Sequence, residues 1–345
     1  MNFGIIGSGS WGTAIAKILT DNGHHLHWWN RSEEAIAQFQ KRSHNPQYLS
    51  SARFDMKLLT LSTNLESVVN ASDILIIAVP SAYVANVLSP LSKDVFKGKK
   101  ILSAVKGILP DENLLLNDYL QQHFQFELSD YFSVMGPCHA EEVAAEKLSY
   151  LTFSGLDVST TNDIAQSFSS SYLRTVVNND IYGVQYAAIL KNIYALGAGI
   201  AHGLEYGDNF LSVLIANSAD EMAGFLRKAG IINAEMGYIE HHKPESQPTH
   251  NNYGASVYMG DLLVTCYSLY SRNRTFGAMI GKGYSVKAAQ LEMSMVAEGY
   301  NASKCMYLIN KNIEAEMPIA EAVYKILWQN ESPLSAFKAI EEVLV

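Results

Sequence analysis

The sequence predicts an α/β protein: a doubly wound parallel sheet through the first half, followed by a mostly α-helical second half. Three observations carry this reading. Short, mostly apolar strand-like segments occur at Asn2–Ile6, His25–Trp29, Leu58–Ser62, Asp73–Val79, Lys100–Ala104, Tyr131–Met135, Tyr150–Phe153 and Arg174–Val177. Between many of them lie helical patterns such as Trp11–Asp21, Glu33–Lys41 and Leu114–His123. Apolar strands alternating with helices indicate a parallel sheet covered on both faces. After about Asp180 strand signals almost vanish, and long helical stretches follow at Val184–Ala201, Phe210–Ala229, Met259–Tyr270, Val286–Glu292, Ala302–Lys311 and Ile319–Leu327. The expected domains are therefore 1–180 and 181–345, with the polar stretch His241–Tyr253 as an exposed loop in the second.

Composition bounds the function. With 345 residues, 48% of them apolar and 17% charged, the chain can fill two cores and does not read as disordered. A formal net charge of -9 argues against a general nucleic-acid or membrane-surface binder. The cysteines are Cys138, Cys266 and Cys305, an odd number, far apart and without a CxxC pair. A disulfide framework or structural zinc is not expected, and a reducing cytoplasm fits. The first apolar run is short and broken by glycine, unlike a signal peptide. No stretch is long and uncharged enough to span a bilayer, since the most apolar helical segment, Ala187–Ala201, is interrupted by Lys191. His24, His25 and His27, and again His241, His242 and His250, cluster without a ligand spacing that closes around a metal, so no metal is expected.

The chain opens on an apolar strand followed by Gly7-Ser8-Gly9-Ser10-Trp11-Gly12 and a helix beginning near Ser10. A strand, a GxGxxG loop and a helix in that order form a Rossmann-type dinucleotide-binding turn. Gly7 can make the tight turn, Gly9 lets backbone approach a pyrophosphate, and Gly12 lets helix and strand pack closely. The helix N-terminus offers N–H groups and a positive dipole end to the phosphates. At the end of the second strand, where a carboxylate would hold a ribose 2′-hydroxyl, the chain reads Trp28-Trp29-Asn30-Arg31. A guanidinium there pairs with a 2′-phosphate, so NADP(H) is the preferred cofactor; Glu33 and Glu34 follow closely and keep NAD(H) open.

Several later residues could carry chemistry. Lys191 is one ammonium inside the strongly apolar helix AAILKNIYALGAG. Burial there would disfavour its charged form and bring its proton into play near neutral pH, although a lysine snorkelling to the surface fits the pattern equally well. Lys106 follows the strand Lys100–Ala104, at the strand end where α/β ligands collect. Asp261 opens an apolar run; it could pair with Lys191 and bind a substrate hydroxyl, or act as a helix N-cap. Thr265 lies four residues on, on the same helical face. Ser271-Arg272-Asn273-Arg274 gathers a hydroxyl, two guanidiniums and an amide that could enclose a phosphate, or else is a helix C-terminus carrying dipole-complementing arginines.

Read together, GSGSWGTAIA at 7–16, AVPS at 78–81, KGI at 106–108, GPCHAEEVA at 136–144, LKNIYALGAGIAHGL at 190–204, GDLLVTCYSLYSRNRTFG at 260–277 and VAEGYNA at 296–302 resemble, nearly end to end, the bacterial NAD(P)-dependent glycerol-3-phosphate dehydrogenases. The resemblance implies reversible reduction of dihydroxyacetone phosphate to sn-glycerol 3-phosphate, the backbone precursor of phospholipids. It makes Lys191 the proton donor and acceptor, and places Lys106 at both cofactor and substrate. It places Asp261, Thr265, Ser271, Arg272 and Asn273 at the substrate, with Arg272 also near the cofactor. Ser8, Ser10, Trp11, Ala140 and Glu298 become cofactor positions. The usual Gly-Pro-Ser-Phe-Ala pattern reads Gly136-Pro137-Cys138-His139-Ala140 here. Gly136 and Cys138 are thus expected at the substrate, with a weaker thiol donor or only a backbone contact in place of a hydroxyl. A second departure is Gly254–Asp261, where the family approach to the aspartate is richer in glycine. Helical domains of this type often pair, so a homodimer is expected by analogy. Two rival readings are a similar dehydrogenase for a hydroxyacyl thioester or 2-keto acid, and a noncatalytic NADP(H)-binding sensor.

Overall fold

The computed structural model describes residues 1–231, 254–293 and 297–345. The loop expected at 241–253, with its three histidines, lies outside the described residues. The chain folds as two compact units, Met1–Ile181 and Tyr182–Val345.

In the first unit the strands are β1 (Phe3–Ile6), β2 (Leu26–Trp29), β3 (Leu59–Ser62), β4 (Ile74–Ile77), β5 (Lys100–Ser103), β6 (Tyr131–Met135), β7 (Ser149–Gly155) and β8 (Leu173–Asn178). They form one sheet in the order β3-β2-β1-β4-β5-β6-β7-β8. The first six are parallel, in the doubly wound order whose direction of winding reverses between β1 and β4. Alternation explains why the central strands β1 (FGII) and β4 (ILII) are buried along their whole length. Phe3, Ile5, Ile74 and Ile76 face one buried cluster, while Ile6, Leu75 and Ile77 face the other. The first cluster includes Trp28, Phe39 and Phe54, whose rings meet at 5.3–5.9 Å between centroids.

The sheet departs from the parallel expectation at one place: β7 runs antiparallel to β6. The connection between them carries only the five-residue helix Ala140–Ala144. A parallel return needs a crossover, usually a full helix, that carries the chain back along the sheet; a five-residue helix rises only about 7.5 Å, so β7 turns back beside its neighbour.

The second unit is helical. The longest helix among the described residues, Ile181–Gly203, opens it and is buried on all sides from Ala187 to Ile200. A helix that is apolar all round has no solvent face, and other helices must enclose it. Those that touch it include Asp208–Lys228, Arg272–Gly281, Glu298–Ile313 and Pro318–Trp328. No helix among the described residues is long and apolar enough to cross a membrane.

Candidate active site

Two groups of side chains answer to the chemistry expected from the sequence, one in each unit. In the first unit the loop after β1 sits at the point where the strand order reverses. Gly7 adopts φ +122°, and a Cβ there would lie 2.6 Å from the Ala78 carbonyl at the end of β4. Only glycine fits such a turn against backbone. A Cβ on Gly12 would lie 2.3 Å from the Gly7 oxygen, so the helix Ser10–Asp21 starts directly against the loop. Gly9 is different: a Cβ there would meet nothing within 4 Å. The cradle it leaves open lies beside the helix N-terminus, where a pyrophosphate fits.

Lys106 lies over the Trp11 ring, 4.7 Å from its centroid. This cation–π contact holds two candidate residues together beside the loop. The Trp11 Nε1 is buried without a hydrogen-bond partner among the described residues. Arg31 is exposed just past β2, and Ser32 caps the following helix by accepting from the Ala35 amide. Thr63 donates to the carboxylate of Glu33. Gly136 takes φ +132°, with its Cβ direction blocked by the Tyr150 carbonyl at 2.8 Å. Cys138 is only 6% exposed and packs in the same apolar cluster as Phe153, Phe168 and Tyr172; Ala140, also buried, opens the short helix that follows.

In the second unit Lys191 is 4% exposed and Asp261 1%. The Lys191 Nζ donates to the Asp261 Oδ1, across 70 positions of sequence. Both charges are therefore out of water, an arrangement that persists only when each partner stays in place. The second oxygen, Asp261 Oδ2, is buried and accepts no hydrogen bond among the described residues. An unmet carboxylate oxygen beside an ammonium is a ready acceptor for a substrate hydroxyl. Thr265 stands one turn on, its Oγ1 donating to the Asp261 carbonyl at 2.5 Å and lying 3.4 Å from Oδ1.

Asp261 is the first residue of its α-helix, not its cap; the preceding residue, Gly260, is already helical. The segment Gly254–Gly260, where the chain departs from the family's glycine-rich approach, forms a π-helix that runs straight into Asp261. Such wide turns recur at functional sites because they re-aim the residues that follow.

The helix expected over Met259–Tyr270 breaks after Tyr267, and a new helix starts at Arg272. Ser271, which the sequence allowed at a helix C-terminus, is instead the N-cap, its Oγ accepting from the Arg274 amide at 3.3 Å. Ser271, Arg272 and Asn273 thus stand at the end of a helix that favours anions. Asn273 uses both ends of its carboxamide: Nδ2 donates to Asn192 Oδ1 at 2.9 Å, and Oδ1 accepts from the Gly299 amide at 2.9 Å. It ties the neighbour of Lys191 to the first turn of the helix that begins at Glu298.

Glycine makes that meeting of helices close, a signal the sequence reading missed. A Cβ on Gly277 would lie 2.2 Å from the Leu196 carbonyl, and one on Gly281 2.3 Å from that of Ile200. Reciprocally, Cβ atoms on Gly199 and Gly203 would lie 2.1 and 2.5 Å from the carbonyls of Arg274 and Ala278. Each helix carries glycines four apart, on one face, and the two backbones touch there.

Glu221 was also missed. It is buried, and its carboxylate accepts from the amides of Ile319 and Ala320 at 2.8 and 3.0 Å and from the Tyr194 hydroxyl at 3.1 Å. It caps one helix from another while gripping the helix of Lys191. Burial pushes its carboxyl up to about 7, against the opposing pull of the two amides and the hydroxyl. Between the ordinary carboxylate range and pH 7 the folded protein holds a proton that the unfolded chain releases. Stability therefore falls as pH rises through that window and levels off above it. Glu221→Gln is expected to remove this slope. Thermal midpoints of the two proteins from pH 4.5 to 8 measure it, and parallel curves would refute it.

The chain matches, over residues 2–161 and 180–338, the models of the NAD-dependent glycerol-3-phosphate dehydrogenase N-terminus and C-terminus. It is 31% identical over 337 residues to a glycerol-3-phosphate dehydrogenase (NAD(P)+) of Bacillus pumilus, covering 97% of this chain and 92% of the relative. A protein of the same name from Streptococcus suis is 32% identical, covering 97% and 94%. The crystal structure of glycerol-3-phosphate dehydrogenase from Coxiella burnetii superposes with a TM-score of 0.86 at 25% identity, over 99% of this chain and 98% of that one. The glycine loop at the sheet's turning point and the buried lysine–aspartate pair thus occur in a chain matched in both halves, and it belongs to the NAD-dependent glycerol-3-phosphate dehydrogenase family.

Proposed function

We propose that this chain reduces dihydroxyacetone phosphate to sn-glycerol 3-phosphate, reversibly, with NADPH preferred over NADH. The observation that carries the reading is the buried Lys191–Asp261 pair with its unmet carboxylate oxygen, in a chain of this family. When bound, the dinucleotide supplies the hydride. The loop Gly7–Gly12 receives its pyrophosphate, with Ser8, Ser10, Trp11, Lys106, Ala140, Arg272 and Glu298 as further cofactor positions. Lys191 donates a proton to the oxygen of the ketone as charge develops there, and takes it back in the reverse direction. Asp261 holds one proton of that ammonium and, through Oδ2, accepts from a substrate hydroxyl. Thr265 supports the carboxylate. Ser271, Arg272 and Asn273 receive the substrate phosphate at their helix N-terminus, with Lys106 and the Gly136–Cys138 turn as further substrate contacts. Because the Cys138 side chain is packed among apolar groups, its part is a backbone contact. The reading includes a homodimer in the cytoplasm; three cysteines buried and outside any disulfide are consistent with a reducing compartment.

The test is oxidation of NADPH and of NADH by the purified protein with dihydroxyacetone phosphate. Turnover with either supports the reaction; dinucleotide binding without turnover on this ketone overturns it. Arg31→Ala is expected to raise KM for NADPH about tenfold, the lower range for a charge-assisted contact at an exposed site, and to leave KM for NADH within about twofold. Equal effects on both would remove Arg31 as the selector.

A further inference from the structure

Three successive carbonyls of the glycine loop each accept a hydrogen bond from a buried side chain behind it. Trp28 Nε1 donates to the Gly7 oxygen at 2.9 Å. Asn45 Nδ2 donates to the Ser8 oxygen at 3.0 Å. Thr13 Oγ1 donates to the Gly9 oxygen at 2.8 Å and itself accepts from Asn45 Nδ2 at 2.8 Å. Thr13 and Trp28 are fully buried, and Asn45 is 4% exposed. The other end of Asn45 is equally committed: Oδ1 accepts from the amides of Gln47 and Tyr48 at 3.0 and 3.2 Å. The carboxamide has two N–H donors and two acceptor sites, and all four are used.

The consequence follows from the planarity of the peptide bond. In a trans peptide the carbonyl of one residue and the N–H of the next point in opposite directions. Pulling back the oxygens of Gly7, Ser8 and Gly9 therefore turns the N–H groups of Ser8, Gly9 and Ser10 away from Trp28, Asn45 and Thr13. Successive N–H groups aimed together form a concavity that attracts anions. A glycine loop left to itself would lose this shape, because glycine has the most conformational freedom to lose.

We propose that Asn45, Thr13 and Trp28 are positioning residues for dinucleotide binding: they lock three successive peptide planes of the glycine loop in the anion-receiving shape before the cofactor arrives. The inference rests on the reading of Gly7–Gly12 as the pyrophosphate loop. None of the three need touch the dinucleotide. Their contribution is preorganisation, which raises affinity by removing the ordering that binding would otherwise require. Since the pyrophosphate is common to both cofactors, their loss weakens NADPH and NADH alike, unlike loss of Arg31.

The test uses Asn45→Asp and Thr13→Val, both close in shape to the native residues. Asn45→Asp keeps the acceptor for Gln47 and Tyr48 and removes both donors. Thr13→Val removes the hydroxyl's bond to the Gly9 oxygen and the acceptor for Asn45, and leaves the Thr13 amide's own bond to that oxygen. Dissociation constants for NADPH and NADH are measured by nucleotide fluorescence, and amide hydrogen exchange is followed over 8–12 in the ligand-free protein. Each variant is expected to raise both constants by tenfold or more in equal proportion, and to speed exchange in the loop relative to the rest of the unit. Unchanged constants in a folded variant would overturn the proposal, as would weaker binding with unchanged loop exchange. Trp28→Phe, which keeps an aromatic core and removes only the indole donor, serves if either variant fails to fold. If the unaltered protein binds neither dinucleotide, it is the cofactor reading that falls.

Discussion

Lys191→Met is expected to lower kcat on dihydroxyacetone phosphate by about 10³-fold, within the range that a positioned general acid contributes. The dissociation constant for the dinucleotide should change little, because the glycine loop belongs to the other unit. The substitution also has a structural cost that must be separated from the chemical one. It leaves the Asp261 carboxylate 1% exposed and without its cation. Breaking one side of a buried pair costs about 3–5 kcal/mol, more than most single substitutions. The double variant Lys191→Met with Asp261→Asn removes the stranded charge. It should recover much of the lost stability, measured by denaturant unfolding, and recover none of the turnover. Activity that returned with stability would show that Lys191 is structural and would remove it from the proposed mechanism.

The sequence exposes the first unit more fully than the second, for a physical reason. β1, β4 and β6 are near-continuous apolar runs, as strands covered on both faces are, and the other five keep short stretches rich in leucine, aromatic or β-branched residues, so all eight strands are visible from residue type alone. The helices Leu65–Asn70, Ser81–Leu88, Ala140–Ala144 and Val158–Phe168 are not. The last is rich in Ser and Thr, yet Asp157 caps it by accepting from the amides of Ser159 and Thr160, and its core face is Thr161, Ile164, Ala165 and Phe168. The cap and the core together override a weak helix propensity. In the second unit, Lys191 stands out as a lone charge in an apolar helix, and Asp261 is available as its partner. What residue types cannot show is long-range geometry. Asn45 looks like an ordinary loop asparagine until the fold brings it under Ser8, 37 positions away. The run Ser271–Arg274 reads as either end of a helix until the break after Tyr267 is seen.

The glycine contact between the helices Ile181–Gly203 and Arg272–Gly281 yields the second large expected effect, and a change of sign makes it testable. Gly277 and Gly224 are both helical, and alanine is a better helix former than glycine by about 0.8–1 kcal/mol in either. At Gly224 a Cβ meets nothing within 4 Å, so Gly224→Ala should stabilise the protein by about that amount. At Gly277 the same Cβ would lie 2.2 Å from the Leu196 carbonyl, which is backbone and cannot swing aside. The helices must part, at a cost of about 1–3 kcal/mol for overpacking, so Gly277→Ala should destabilise. Parting them also moves Asn273 away from Asn192, and so shifts the candidate phosphate residues relative to Lys191. A misplacement near 1 Å can lower turnover by about 10²-fold. Gly277→Ala is therefore expected to lose kcat at temperatures where it remains folded, while Gly224→Ala keeps it. Denaturant unfolding and steady-state kinetics on the pair decide the matter. If both substitutions stabilise, the helices do not meet at backbone distance. If Gly277→Ala destabilises with kcat intact, the crossing supports the fold alone, and the placement of Lys191 relative to Ser271–Asn273 tolerates its displacement.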